Sequence, residues 1–436
     1  MEYIRVTGGR TLCGTVRPAA AKNSVLPLLA ATLLCGEPCT LRDVPRLKDV
    51  ETSLALLAAV GADAVRGGPG GRHIVTRPGR ALCGTVPAEL AGAMRGSVFY
   101  LAPLLIRTGC AVLPLPGGCR LGPRPIDIHL AGLAAMGARI EMSGSAVTLR
   151  RRGSLQGTEF TLRLPSVGAT LTLMMAACCA AGTTTLHGAA REPEIVDTAA
   201  FLNAAGAEIS GAGTACIRIR GTGGALLGGC EHSVLPDRIA AATYAAAAAV
   251  AGGSVTVEGC PPDYLAAFLD FLDQTGCTVL RGKNGFSVTR CPSRPLRGGC
   301  DLVAAAYPGL ATDAAPLAAA VLLGAEGPSR IYDGLFQNRF ACAEGFAALG
   351  ADVCTEGRTL AIAGREAENT PLHGGTVRAP DLRGGAALVL AALGARGTVL
   401  VADAGHIRRG YADLPGDLAS IGADCRTLCP GENPGC

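Results

Sequence analysis

The sequence predicts an α/β protein built from six repeats of about 70 residues, gathered three and three into two domains. The first sign is a recurring phrase, an apolar helical stretch closed by glycine. It appears as LLAAVGADA at Gly61, LAAMGARI at Gly137, LNAAGAEI at Gly206, LDQTGCTV at Gly276, FAALGADV at Gly350 and LASIGADC at Gly422. The second is a companion pattern in which an Ala/Leu-rich helix, a Gly-containing turn and a short β-branched run follow one another, as in MMAACCAAGTTTLHG and LVLAALGARGTVLVAD. Gly after an apolar helix is a C-terminal cap, and the Thr/Val/Leu run alternates like a strand. Each repeat therefore reads as strand, helix, strand, helix, strand. Size is the third sign, because 436 residues, 49% of them hydrophobic, exceed what one core holds.

Taken in order, strands at Tyr3–Val6 and around 15–18 open the first repeat, and a helix begins at Lys22 ahead of Pro27. The break between the two groups of three falls at Gly228–Val234, where GGCEHS interrupts the pattern. A cleft between domains is where ligands commonly bind. The Ala-rich run Ala240–Gly252 is short and is interrupted by Thr243 and Tyr244, so it reads as a buried helix rather than a membrane span.

Composition narrows the function. With 39 Lys+Arg against 35 Asp+Glu, no Trp and 4% aromatics, the chain lacks the charge and the stacking platforms of a nucleic-acid binder. Its 19 cysteines are scattered, and the tail group Cys425, Cys429 and Cys436 fits no zinc spacing, so no metal is expected. The start MEYIRVTGGR has neither signal-peptide nor transit-peptide character. The cysteines are thus expected to be reduced, small core residues of a cytoplasmic protein.

The chemistry concentrates in LPLPGGCRLGPRPID. It sets Cys119 after a Pro-Gly-Gly turn and flanks it with Arg120 and Arg124. Guanidinium charge favours the thiolate and would hold an anion beside the sulfur. Six helix starts carry further candidates: Lys22-Asn23, Arg95, Ser166, Asp237-Arg238, Asp313 and Asp381-Leu382-Arg383. Each also fits a plainer reading: a solvated lysine, an N-cap serine or aspartate, or, for Arg383, Arg408 and Arg409, a charged face. Pointed the same way, these ends would make a receptor for a strongly anionic small molecule.

Ten ordered motifs carry a resemblance: AAAKNSVLP, VPRLKDVETS, LPGGCRLGPRPID, PSVGAT, AAREPEIVDTA, VLPDRI, ATD, FQNRF, APDLRGGAALV and HIRRGY. Over nearly the whole chain the sequence resembles the enolpyruvyl transferase family, in its UDP-N-acetylglucosamine 1-carboxyvinyltransferase branch. The resemblance implies a two-domain inside-out α/β barrel with the helices inside. One domain would span 22–233 and carry the cysteine loop; the other would span 234–436 and be completed by residues 1–21. The reaction implied is transfer of the enolpyruvyl group of phosphoenolpyruvate to the 3′-hydroxyl of UDP-N-acetylglucosamine, with release of phosphate, by addition and elimination through a tetrahedral ketal. This is the first committed step of peptidoglycan synthesis, run by a cytoplasmic monomer without cofactor, nucleic acid or membrane.

Carried over position by position, Cys119 is the general acid of the addition and the fosfomycin target, and Asp313 takes the proton of the sugar hydroxyl. Lys22, Arg124 and Arg409 surround the phosphate, with Arg383 near the carboxylate. Asn23 and Arg95 contact substrate; Pro125, Ile126, Asp127, Ile128, Leu164, Pro165, Ser166 and Val167 wrap the uridine. Leu335 is the last nucleotide-side contact, and Arg339 and Asp381 are further active-site positions. The sequence departs from the family pattern at Ala20, Ala311, Ala315, Gln337 and Arg408. These departures bear on rate and affinity. Two other readings share the fold, a 5-enolpyruvylshikimate-3-phosphate synthase, against which the cysteine loop argues, and a second-copy binding or regulatory protein.

Overall fold

The computed structural model describes residues 2–79, 81–115, 125–365 and 372–428. The chain divides between Ala19 and Ala20 and again between Leu235 and Pro236, so one compact unit is inserted in the sequence of the other.

In the unit completed by the chain's beginning, the helices Arg238–Ala251, Ala315–Leu322 and Leu382–Leu393 pack on one another at the centre. Alanine is the strongest helix former and lets backbones approach closely. Ala241, Ala245, Ala248, Ala319, Ala387 and Ala391 are accordingly all fully buried. The Ala-rich run expected to be a buried helix is the first of these three, and among the described residues no helix is long and apolar enough to cross a membrane.

The three sheets of this unit share one ladder. Leu12–Val16 runs parallel to Gly253–Glu258, which pairs antiparallel with Gly285–Arg290, itself antiparallel to Thr278–Arg281. The same order recurs in Asp301–Ala304, Ser329–Asp333, Thr359–Ile362 and Val353–Glu356. It recurs again in His373–Arg378, Arg396–Ala402, Tyr3–Thr7 and Asp424–Leu428.

The inserted unit repeats the plan around the helices Lys22–Ala31, Leu101–Thr108 and Val167–Cys178. Glu231–Ser233, Cys39–Arg42, His73–Arg77 and Asp63–Gly67 form one ladder. Glu159–Thr161, Thr183–His187, Cys216–Arg220 and Glu208–Ser210 form the second. In the third, Cys110–Pro114, Ala146–Arg150 and Arg139–Ser143, the parallel partner shrinks to a single bridge from Thr85 to Val112.

The repeat phrase has a conformational cause. Gly61, Gly137, Gly206, Gly276, Gly350 and Gly422 have φ of 91°, 95°, 100°, 94°, 92° and 103°, the left-handed region that ends a helix and that side chains with a Cβ resist. Three expectations are corrected. Five of the six ladders hold four strands rather than three, because the short strand after the phrase, such as Thr278–Arg281, buries only Val279 and so gives little strand signal. The second strand lies at Leu12–Val16 and stops before Pro18, which has no N–H to continue the ladder. The helices expected to open at Arg95 and Asp313 begin as 3₁₀ turns, Arg95–Tyr100 and Thr312–Ala314, before the α-helical residues.

Candidate active site

In the unit formed by the two ends of the chain, the starts of all three central helices meet. Asp313 lies inside the first turn rather than at its N-cap, which is Ala311. Its Oδ1 accepts from Arg339 Nη2 at 3.1 Å and its Oδ2 from Arg383 Nε at 3.2 Å, and 29% of the side chain stays exposed. Asp237 and Asp381 do cap their helices. Asp237 accepts from the N–H groups of Ile239 and Ala240 at 2.8 and 3.0 Å, Asp381 from those of Arg383 and Gly384, both at 2.9 Å.

Both arginines are buried, Arg339 at 1% and Arg383 at 2% exposure. Arg339 Nε donates to Thr312 Oγ1 at 2.9 Å and lies 3.5 Å from Asp333 Oδ2, while the guanidinium stacks 4.7 Å from the Phe336 ring. Asp333, fully buried, accepts the N–H groups of Leu335 and Phe336 at 2.8 and 2.7 Å and a hydrogen bond from Thr312 Oγ1. A fixed carboxylate thus orients the arginine that orients Asp313.

Arg383 lies 5.4 Å from the centre of the Tyr411 ring, and the Tyr411 hydroxyl is 2.7 Å from Thr243 Oγ1. Burial alone would depress the Arg383 pKa; Tyr411, Asp313 and Asp237 outweigh it and carry the group above the ordinary arginine value. Its two terminal nitrogens, although buried, have no directed hydrogen-bond acceptor among the described residues, the tyrosine lying beside the guanidinium. Two charged donors left over in a buried site suit an anion.

Arg409 is half-buried on the turn Ala404–Arg409, two residues before Tyr411. Arg408 is exposed and pairs with Glu2 at 2.5 Å. Among the other departures, Ala20 and Ala315 are buried, Ala311 precedes the 3₁₀ turn and Gln337 is exposed. Leu335 is 42% exposed, just after Asp333.

The inserted unit carries a second group of candidates. Lys22 Nζ sits 3.3 Å from Asp49 Oδ2, and both side chains are largely buried, so the lysine is not a solvated one. Asn23 and Arg95 are half-buried at the starts of their elements. The segments 125–128 and 164–167 come together, tied by an ion pair between Asp127 and Arg163. Ile126 and Ile128 are buried while Pro125, Asp127, Leu164 and Pro165 are exposed. Ser166 caps its helix by accepting from Ala169 N at 3.3 Å, with Val167 beginning that helix.

His129 stands between these segments, and a Cβ on Gly168 would meet its Nε2 at 2.8 Å. Its pKa is lowered to about 4, by burial first and then by Arg95, against an opposing pull from Asp127. Cys119, Arg120 and Arg124 lie outside the described residues. Sequence reasoning placed Thr312 beside Asp313 at a helix start without giving it a role, and did not single out Asp49, His129, Asp333 or Tyr411. Only the position of His129, two residues after Asp127, offered a signal.

Ladders of one recurring pattern around buried helices, with guanidinium and carboxylate groups at the helix starts of one unit and a buried ammonium group at a helix start of the other, define an α/β protein that handles small anions. The chain belongs to the EPSP synthase (3-phosphoshikimate 1-carboxyvinyltransferase) family, whose sequence model matches residues 6–418. Among its relatives, it is 43% identical to UDP-N-acetylglucosamine 1-carboxyvinyltransferase 1 of Symbiobacterium thermophilum over 424 residues, which covers 97% of this chain and 94% of that one. It is 40% identical to the UDP-N-acetylglucosamine 1-carboxyvinyltransferase of Finegoldia magna over 428 residues, 98% of this chain and 99% of the relative. The enolpyruvyl transferase NikO from Streptomyces tendae superposes with a TM-score of 0.87 at 27% identity, covering 98% of this chain and 99% of that chain. EPSP synthase from Acinetobacter baumannii shares the fold, with a TM-score of 0.72 at 18% identity over 98% of this chain and all of that one. The mixed α/β architecture with two compact units is that of the enolpyruvyl transferases.

Proposed function

We propose that the chain transfers the enolpyruvyl group of phosphoenolpyruvate to the 3′-hydroxyl of UDP-N-acetylglucosamine and releases phosphate, through a tetrahedral ketal. The observation that carries this reading is Asp313, a partly exposed carboxylate gripped from both sides by buried guanidinium groups, one of which has its terminal nitrogens beside Tyr411 and no other acceptor among the described residues. The relatives that bear the sugar-nucleotide name support the choice of acceptor.

In this reading Arg383 takes the carboxylate of phosphoenolpyruvate, and Lys22, Arg124 and Arg409 take its phosphate. Cys119 protonates the methylene carbon as the acceptor oxygen adds, and Asp313 receives the hydroxyl proton. Cations placed before the reaction lower the barrier because they need no reorganisation as charge moves. Asn23, Arg95, residues 125–128 and 164–167 and Leu335 hold the sugar nucleotide. Arg339, buried and occupied on both sides by protein carboxylates, acts through Asp313 as a positioning residue. The chain works as a cytoplasmic monomer, with 22–233 serving as one functional domain and 234–436 with 1–21 as the other.

Phosphate release on mixing the protein with phosphoenolpyruvate and either UDP-N-acetylglucosamine or shikimate 3-phosphate tests it. Release with the sugar nucleotide alone is expected. Release with shikimate 3-phosphate instead, or binding of both substrates with no release, overturns it.

A further inference from the structure

Three thiols of the inserted unit lie in mutual contact at the edge of its core. The strand Glu231–Ser233 runs parallel to Cys39–Arg42 with Glu231 opposite Thr40, and Thr40 N donates to the Cys230 carbonyl at 2.9 Å. One step back along both strands brings Cys230 opposite Cys39. Residues paired across neighbouring strands point to the same face and stand about 4.8 Å apart. That lies within the Cα separation of about 4.4–6.8 Å that a disulfide spans.

Cys35 joins them four residues before Cys39, held by the parallel bridge from Cys35 to Leu227 and by the 2.7 Å hydrogen bond from Gly36 N to the Leu227 carbonyl. The Cys39 thiol lies beside Cys35 and Cys230, and donates to the Glu37 carbonyl at 3.8 Å while Cys230 Sγ donates to the Phe201 carbonyl at 3.7 Å. All three are free cysteines. Cys35 and Cys39 are 0% and 1% exposed, whereas Cys230 is half-exposed.

We propose that Cys39 and Cys230 form a modification site that takes small disulfides of the glutathione class and closes to an intramolecular disulfide. The half-exposed Cys230 sulfur attacks one sulfur of the small disulfide. The S–S bond breaks, a mixed disulfide forms on Cys230, and the thiol proton leaves with the departing thiolate. The Cys39 sulfur then attacks the Cys230 sulfur and expels the second small thiolate, which takes the Cys39 proton. The two cysteines lose two electrons and the small disulfide gains them as two small thiols. Access favours this order: Cys230 is the half-exposed sulfur that a small disulfide reaches, while Cys39, 1% exposed, is shielded from it and stands opposite Cys230. The attack is thereby ready once Cys230 carries a leaving group.

The test is peptide mapping of the native full-length chain after exposure to oxidised glutathione, with tandem mass spectrometry breaking the Glu37–Pro38 bond to separate Cys35 from Cys39. A cross-linked pair holding Cys39 and Cys230, short of two hydrogen masses and reopened by dithiothreitol, is expected; exposed thiols such as Cys13 and Cys354 carry glutathione instead. Cys39→Ser should leave glutathione trapped on Cys230, and Cys35→Ser should still form the cross-link. A persistent glutathione adduct on Cys230 of the unaltered chain, a Cys35–Cys39 link, or an unreacted pair overturns the proposal.

Discussion

Arg339 Nη2 lies 3.1 Å from Asp313 Oδ1, and the arginine that makes this contact is 1% exposed and reaches Asp333 with its other edge. Two carboxylates therefore share one guanidinium, one of them inside the core and the other at the surface of the site. Removing one partner of a buried ion pair typically destabilises by about 3–5 kcal/mol, because the remaining charge stays desolvated. Asp333→Asn should lower the thermal midpoint and slow turnover together. Asp333→Glu, which keeps the charge, should recover more of the turnover than Asp333→Ala. Calorimetry and phosphate release on the three variants check this.

Asp313→Asn keeps the shape of the side chain and removes its capacity to take a proton. Turnover should fall on the order of 10²–10⁴-fold, the range of a lost general base. Binding of the sugar nucleotide, measured by calorimetric titration, should change little. An equal loss in binding and turnover would assign Asp313 to binding instead.

Tyr411→Phe deletes the hydroxyl 2.7 Å from Thr243 Oγ1 while keeping the ring beside Arg383. Thr243 retains its bond to the Ile239 carbonyl at 2.9 Å, so no buried donor is orphaned. The stability loss should be about 0.5–1.5 kcal/mol, that of one hydrogen bond. With Arg383 less firmly seated, KM for phosphoenolpyruvate should rise more than kcat falls.

His129 gives the inserted unit a pH signature. Its folded pKa is lowered to about 4, beneath the ordinary histidine value of 6.5, so the unfolded chain binds the proton more tightly. The stability this neutral histidine contributes is complete above pH 6.5 and is lost as pH falls from 6.5 towards 4, by up to about 3 kcal/mol. His129→Gln should flatten the stability curve in that window. Urea unfolding at intervals between the two pH values reads the difference.

Fosfomycin should add one covalent adduct, at Cys119, by mass spectrometry. Cys119→Asp should keep turnover and lose the adduct, since a carboxyl group also donates a proton but does not open the epoxide as a thiolate does. Labelling of another cysteine would remove Cys119 from its role.

The fold was legible because its repeat is written in residues that answer to local physics. Six glycines adopt the one conformation their position requires, and the Ala-rich helices bury on every side. The short outer strand after the repeat glycine was not legible, since an edge strand that buries as little as Thr278–Arg281 does carries little apolar pattern. Among the candidate residues of the two units, Lys22, Ser166, Asp313 and Arg383 were visible as unusual residues at helix starts. Their partners were not: Asp49 is 27 residues from Lys22, and Asp313 is 70 from Arg383, distances that only the assembled helices close. Asp333 looked like any acidic residue ending a strand. Its role comes from burial, which nothing in IYDGLF announces.

The borrowed parallel strand has a consequence for synthesis on the ribosome. Cys39–Arg42 waits for Glu231–Ser233, so the inserted unit seals its first sheet only when its last residues emerge. Tyr3–Thr7, made before the inserted unit, pairs with Arg396–Ala402 and Asp424–Leu428, made after it. Domains fold as units while the chain is still being extended. The inserted unit can then be complete while the opening strands trail unpaired beside it for most of translation. In that interval the unpaired edges of Tyr3–Thr7 are open to wrong partners.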